Sequence, residues 1–376
     1  MFSLHVDTAT TWRGGQNQVL LTVLGLRARG HRAALVAHPD GELYRRATEG
    51  PDLIPIASTG DLDLRAAWKL SRVLRMLRPA VVHAHDAHAV SMVALARSIG
   101  RLDPPPFFVV SRRVDFHLRR NAFSRWKYGQ VDQFLCASDA IASMLVADGI
   151  AKARTRTVHD GVDLEHVKAA PRLDAHAELW LPAGAPLVGN VAALVPHKGH
   201  RYLISAAAEV VRSVPDARFV IVGDGELEST LRHQIRDLHL ERHVLLAGFR
   251  ADALSLQKGF DLFALSSVTE GMGSVLLDAM AMGQAIVGTR AGGIPEVVVD
   301  GDTGVLVPVR DARALAAAIV ELLKDPARRA ALGAAAQARV QLHFTAGRMV
   351  QRILDAYGQL VGTPRATGTD RRAAAG

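Results

Sequence analysis

The stretch Glu270–Glu296, EGMGSVLLDAMAMGQAIVGTRAGGIPE, decides how the rest of the chain is read. Ahead of it, the apolar run Leu262–Leu265 has the length of a buried strand and leads through Ser266–Ser267 to Glu270, Gly271 and Gly273. Within it, Val275, Leu276, Ala279, Met280 and Met282 recur at helical spacing, and Asp278 falls one turn after Ser274. A strand that turns through glycines into a helix leaves the first N–H groups of that helix without partners, at the positive end of its dipole. That end suits phosphate, and glycines let a ligand come close to the backbone. The stretch reads as a phosphate cradle with Glu270 at its lip and a second carboxylate, Asp278, eight positions on. An ordinary strand-to-helix turn of an α/β domain has the same local pattern.

Outward from this stretch, short apolar runs alternate with amphipathic helical patterns. Strands are expected at Leu4–Asp7, Ala33–Ala37, Leu53–Ile56, Val81–His83, Phe107–Val110, Gln133–Cys136 and Thr155–Val158, with helices such as Gly15–Arg29, Leu64–Leu77 and Ala87–Ile99 between them. After Asp160–Gly161–Val162–Asp163 the pattern loosens into a polar segment, Glu165–Pro186. It then restarts at Leu187–Val191, Arg218–Val222, Val244–Leu246, Leu262–Leu265, Ala285–Val287 and Val305–Val307. Continuous apolar strands alternating with helices imply parallel sheets covered on both faces, and the restart implies two doubly wound domains. The first is expected over 1–165 and the second over 166–345, with a helix near 346–361 and a disordered tail over 362–376.

Composition bounds the function loosely. Of 376 residues 49% are hydrophobic and 22% charged, as in soluble globular proteins. The net charge of +8 suggests an anionic partner, although only 7 of the 45 basic residues are lysine and the arginines are spread along the chain. Cys136, the single cysteine, sits in an apolar run and reads as a small hydrophobe. Phe2–Val6 has neither the basic start nor the apolar core of a signal peptide, and no window is long and apolar enough to span a bilayer. A cytoplasmic protein, peripheral at the inner membrane face, is the expectation.

Several further motifs fall at strand-to-helix junctions, where such sheets bind ligands. Arg13–Gly14–Gly15 follows the first strand without the third glycine of the dinucleotide fingerprint. Lys198, in His197–Lys198–Gly199–His200, could reach the anion held by the Glu270 loop. Gly223–Asp224–Gly225 and Gly248–Phe249–Arg250 are two more turns of this kind; a structural corner needs the same glycines. Ser111–Tyr128 mixes Arg112, Arg113, Arg119, Arg120, Arg125 and Lys127 with Phe116, Phe123, Trp126 and Tyr128. That mixture suits an anionic membrane face or a phosphorylated acceptor, and equally a solvated basic loop over core aromatics. No nucleic-acid recognition fold accompanies it. His83, His85 and His88 lack the spacing of a metal site, and Asp61–Leu62–Asp63 reads as a helix cap rather than a metal-binding pair.

Taken together and in this order, the early Gly14–Gly15 loop, Asp160–Asp163, Lys198–Gly199, Val222–Gly225, Glu270 with Asp278, and Gly292–Glu296 resemble the GT-B-fold glycosyltransferases of family four over nearly the whole chain. The resemblance implies two facing Rossmann-like domains, with the donor held mainly by the second and a final helix crossing back to the first. It further implies a retaining transfer of sugar from a nucleotide-diphosphate sugar to a glycan or lipid-linked acceptor in envelope or lipopolysaccharide synthesis, without metal or other cofactor. By that likeness Glu270 lies beside the donor sugar and Asp278 meets the ribose hydroxyls. Lys198 clamps the diphosphate, and Arg113, the third catalytic residue, falls where the family has a histidine and either compensates for the missing charge or binds an acidic acceptor. Gly14, Gly15, Gly223, Asp224, Arg250, Gly271, Met272, Gly273, Ser274 and Val275 complete the donor site. The chain departs from the family pattern in having Asp278 for the usual glutamate, Ala193 for an arginine, and Arg112–Arg113 for the histidine. A nucleotide-sugar epimerase or a catalytically silent nucleotide-binding protein on the same fold are the alternatives.

Overall fold

The computed structural model describes residues 1–362 apart from 49, 51 and 101. The expected tail lies, from residue 363 on, outside the described residues. Strands β1 (Phe2–Val6), β2 (Arg32–Ala37), β3 (Asp52–Pro55), β4 (Val81–Ala84), β5 (Phe107–Arg112), β6 (Gln133–Cys136) and β7 (Thr155–Thr157) form one sheet of order β3-β2-β1-β4-β5-β6-β7. Strands β8 (Leu187–Val191), β9 (Arg218–Val222), β10 (Val244–Gly248), β11 (Leu262–Leu265), β12 (Ala285–Thr289) and β13 (Val305–Val307) form a second, of order β10-β9-β8-β11-β12-β13. Every pairing is parallel. In each sheet the order reverses beside the first strand, which opens a crevice at the carboxyl edge. These are two Rossmann-like domains in the GT-B arrangement.

The sheets are buried on both faces because helices cover them. Leu70, Leu74, Met92 and Val93, from the helices Leu64–Leu77 and Ala87–Gly100, pack on one face of the first sheet. Val23 and Leu26 of Gly14–Ala28, with Val350, Ile353 and Tyr357 of the last helix Ala346–Gly362, pack on the other. The last helix therefore lies on the first domain. Each fully buried Leu, Ile or Val there contributes about 1.5–3 kcal/mol. One cluster runs through the cleft floor, joining Ile141 and Val162 of the first half to Met272, Leu276 and Met280 of the second.

Two stretches differ from the sequence reading. Glu165–Pro186 overlaps two short helices, Leu164–Ala169 and Ala175–Glu178, each started by an aspartate, Asp163 or Asp174, accepting first-turn N–H bonds. Ser111–Tyr128 is not one surface loop. It runs from β5 into the helix Ala122–Gly129, started by Asn121, whose side chain accepts from Ser124 N at 2.7 Å.

Candidate active site

The helix Ser274–Ala281 starts where the sequence places it, and the loop before it lies at the junction of the two domains. A Cβ on Gly271 would stand 2.0 Å from the carbonyl oxygen of Arg113, so only glycine lets the loop reach the first domain. Ser138 Oγ donates to Gly271 O at 2.7 Å, and Asp160 N donates to Met272 Sδ at 3.2 Å. On the other flank, a Cβ on Gly14 would lie 2.6 Å from Ser274 Oγ. The helix starts at Gly14 and Ser274 thus meet nearly head to head. Two positive dipole ends so close repel unless negative charge lies between them.

Lys198 and Glu270 sit at this junction. Lys198 Nζ lies 2.6 Å from Glu270 Oε2, which also accepts from Ser267 Oγ at 2.9 Å. The Phe116 ring meets His197 edge-on at 5.7 Å, so part of the basic and aromatic segment closes over the lysine loop. Among the described residues, the N–H groups of Gly271, Met272 and Gly273 make no backbone hydrogen bond. The Asp278 side chain is partly buried and has no hydrogen-bond or ion-pair partner among the described residues. Burial pushes its carboxyl up to about 7. A carboxylate left without donors one turn into a helix is suited to accept from ligand hydroxyls.

Other expected site residues are engaged elsewhere. Arg113 donates from Nε to Asp160 Oδ1 at 2.8 Å, and its Nη1 lies 3.3 Å from His85 Nδ1. Its backbone, rather than its guanidinium, touches the Glu270 loop. Arg250 is held in two 2.7 Å bonds by Asp252. Gly223 packs against the residue that follows β8: a Cβ there would stand 2.1 Å from Ala192 O. Asp224 is exposed, and its carbonyl accepts from Leu194 N at 2.7 Å. Gly15 is partly exposed in the first turn of its helix, and Val275 is partly buried in the turn after Ser274. Met272 is buried against the first domain. Asp61 and Asp63 separate: Asp63 caps Leu64–Leu77, whereas Asp61 lies 3.5 Å from the buried Lys127 Nζ and accepts from Ser91 Oγ at 2.7 Å.

Three features were not read from the sequence. His5 joins His83 and His85, while His88 turns away to Asp61. All six ring nitrogens of the trio are in hydrogen bonds. His5 Nδ1 meets His85 Nε2 and His5 Nε2 meets Ser3 Oγ, both at 3.0 Å; His83 reaches Tyr357 OH at 2.6 Å and Ser111 Oγ at 2.8 Å; His85 Nδ1 faces Arg113. Burial lowers all three, His5 to about 3, so the rings are neutral supports behind Arg113. Asp7, which reads in sequence as the end of a strand, is raised to about 7 by burial and then by Asp86. Arg13 is exposed at the start of Gly14–Ala28 with no carboxylate partner among the described residues; burial and then Lys198 lower His197 across the cleft, and the charge of Arg13 adds a smaller push the same way. Its place directly before Gly14–Gly15 was the available signal.

Comparison with known proteins gives the family and the fold. A family profile described as glycosyl transferases group 1 matches residues 172–339, and one described as Glycosyltransferase Family 4 matches 12–166. The chain belongs to the family-four glycosyltransferases. It is 39% identical over 187 residues to a GDP-mannose-dependent alpha-(1-6)-phosphatidylinositol monomannoside mannosyltransferase of Mycolicibacterium smegmatis, covering 46% of this chain and 48% of that one. It is 27% identical to the lipopolysaccharide core biosynthesis glycosyltransferase LpsE of Rhizobium meliloti, over 93% of this chain and 95% of the other. Thus the chain spans about half the length of the mycobacterial relative and nearly all of the rhizobial one. Among solved structures, Anabaena HepE in complex with UDP-glucose superposes with a TM-score of 0.83 at 23% identity, covering 96% of this chain and 100% of that one, which shows the shared fold. Among the described residues no helix is long and apolar enough to cross a membrane.

Proposed function

We propose that the protein is a glycosyltransferase. It moves a hexosyl unit from a nucleotide-diphosphate sugar to a hydroxyl of a glycan or lipid-linked acceptor, with retention at the anomeric carbon and without metal, in envelope or lipopolysaccharide synthesis. The observation that carries this reading is the Lys198–Glu270 pair at the start of Ser274–Ala281, with the unpartnered Asp278 one turn on. Relatives named for GDP-mannose-dependent transfer and for lipopolysaccharide core synthesis support the acceptor class, and a structural neighbour bound to UDP-glucose supports the donor class.

In this reading the bond from the sugar's C1 to the diphosphate oxygen breaks as the acceptor oxygen bonds to C1 on the same face. The hydroxyl proton passes to the departing phosphate. Negative charge grows on the diphosphate, where Lys198 and the N–H groups at Gly271–Ser274 converge. Preorganised donors at a developing anion are worth about 3–4 kcal/mol each. An ammonium has three donors, so Lys198 can hold Glu270 and a phosphate oxygen together. Asp278 takes the ribose hydroxyls, and closure over Gly14–Gly15 keeps water from the sugar.

The acceptor is met at an anionic membrane face. Arg119, Arg120, Arg125 and Trp126 are exposed, and so are Arg65, Trp68, Lys69, Arg72 and Arg75 along Leu64–Leu77. Basic side chains interleaved with indole rings suit such a surface. Flotation with anionic vesicles should carry the protein upward at low salt, and no association would remove this part of the reading.

A thermal-shift screen of nucleotide sugars, followed by transfer from a labelled donor to acceptor extract, tests the proposal. A bound donor raises the melting temperature, and label moves to the acceptor. Free isomerised nucleotide sugar would indicate the epimerase, and binding without turnover the silent protein.

A further inference from the structure

The turn Gly292–Gly293 and the short helix Ile294–Val297 form part of the second domain, yet the Glu296 side chain belongs to the first. Its two oxygens accept from the backbone N–H groups of Asp139 (2.8 Å) and Ala140 (2.9 Å). These are the first N–H groups of the helix Asp139–Ala147, and Ser138 Oγ takes the third, from Ile141, at 3.2 Å. The first turn of a helix in one domain is therefore completed by a carboxylate of the other. His159 Nε2 lies 2.9 Å from the same Glu296 oxygen, and its Nδ1 lies 3.2 Å from Arg352 Nη1 on the last helix. A guanidinium only donates, which places the ring proton on Nε2, where it donates to Glu296.

On the second-domain side Glu296 is held rigidly. Arg339 donates to the carbonyl oxygens of Val297 (2.8 Å) and Glu296 (2.9 Å), and Gly293 N donates to Glu270 O at 3.1 Å. A fixed Glu296 thus fixes the Glu270 loop. On the opposite side, Ser138 both caps Asp139–Ala147 and donates to Gly271 O. The two contacts lie side by side, at the adjacent residues Ser138 and Asp139, where the loop meets the first domain.

We propose that Glu296 and His159 form a cross-domain clamp that sets the closed approach of the domains, so that Glu296 is a positioning residue for the site at Glu270–Ser274. When the domains part, the carboxylate leaves two N–H groups and an imidazole N–H to water, so the contact favours only the closed arrangement. Carboxylates at a helix start are favoured by the dipole as well as by the bonds. The proposal rests on the glycosyltransferase reading for its kinetic consequence alone.

The test uses the full chain with Glu296→Ala, Glu296→Gln and His159→Ala. Small-angle scattering reads domain opening, titration with UDP and GDP reads nucleotide affinity, and turnover is measured with the donor found by screening. Glu296→Ala should expand the unliganded protein and lower kcat roughly tenfold. Nucleotide affinity should stay within about twofold, because only the joint is altered. Glu296→Gln, keeping one acceptor oxygen, should fall between, and His159→Ala should open the protein from the other domain. If the wild type itself bound neither nucleotide, an expanded Glu296→Ala would still uphold the clamp, while the reading of UDP or GDP as the donor nucleotide would fall. Unchanged scattering and kcat in both alanine variants would overturn it. So would a joint loss of melting temperature and nucleotide affinity without expansion, since that pattern marks a support of the turn alone.

Discussion

Lys198 and Asp278 have opposite relations to their surroundings, and this separates what each does. Lys198 is already bonded to Glu270, so its charge is held in place before a diphosphate arrives. Lys198→Ala should lower kcat about a hundredfold or more while changing KM less; unchanged turnover would remove the lysine from the mechanism. Asp278 has no such partner, and burial raises it from 3.8 to about 7. In the folded protein it prefers its proton, so stability is full below about pH 4, falls as pH rises through 7, and is constant beyond. Asp278→Asn should therefore raise the melting temperature at pH 8 and change it little at pH 4. It should also weaken nucleotide binding, because ribose hydroxyls donate best to the ionised carboxylate; in the wild type that binding should release a proton near neutral pH. Arg13 lies across the cleft in a chain whose position 193 is alanine. Arg13→Ala should weaken UDP binding and flatten its salt dependence while leaving uridine binding unchanged, as titration calorimetry at several salt concentrations would show. Glu270 and Lys198 were legible in the sequence because each sits at a strand-to-helix corner. Arg113 was legible as a residue at the cleft, but its pairing with Asp160 was not, because the partners are 47 positions apart.

Elements that bury an apolar run between turn signals were read closely. Gln133–Cys136, Arg218–Val222 and Leu262–Leu265 stand where the apolar runs put them. Leu64–Leu77 matches as well, since Ala66, Leu70 and Leu74 mark one buried face and Asp63 caps its start. The helix Ala122–Gly129 was hidden because Arg125, Trp126 and Lys127 follow one another without an apolar period, and the groups that let Lys127 be buried, Ser91, Ala87 and Asp61, lie far away in the sequence. Glycines were legible as turns, but not whether ligand or backbone requires them. Gly223 abuts Ala192, and Gly271 abuts Arg113 of the other domain. The latter gives a clean prediction. Gly271→Ala should leave the donor domain folded and able to bind nucleotide, but should block closure and lower kcat by about a hundredfold, the cost of overpacking being about 1–3 kcal/mol. Normal turnover with a normal scattering profile would show that the loop has room to shift.

At the scale of the whole molecule, rhythm in the sequence was enough for two doubly wound domains, and the order of motifs was enough for the family. The joint between the domains was not legible. Ser138 to Gly271 spans 133 positions and Asp139 to Glu296 spans 157, and no local periodicity records a contact at such separations. Yet that joint makes the site: the Glu270 loop, the Gly14–Gly15 turn and the lysine loop form one surface only when both sheets present their carboxyl edges to each other. A crystal structure of the protein with a nucleotide-diphosphate sugar tests this most directly. The phosphates should lie within hydrogen-bond distance of Lys198 Nζ and the N–H groups of Gly271–Ser274, with the ribose at Asp278. Phosphates bound away from both the lysine and the start of that helix would contradict it.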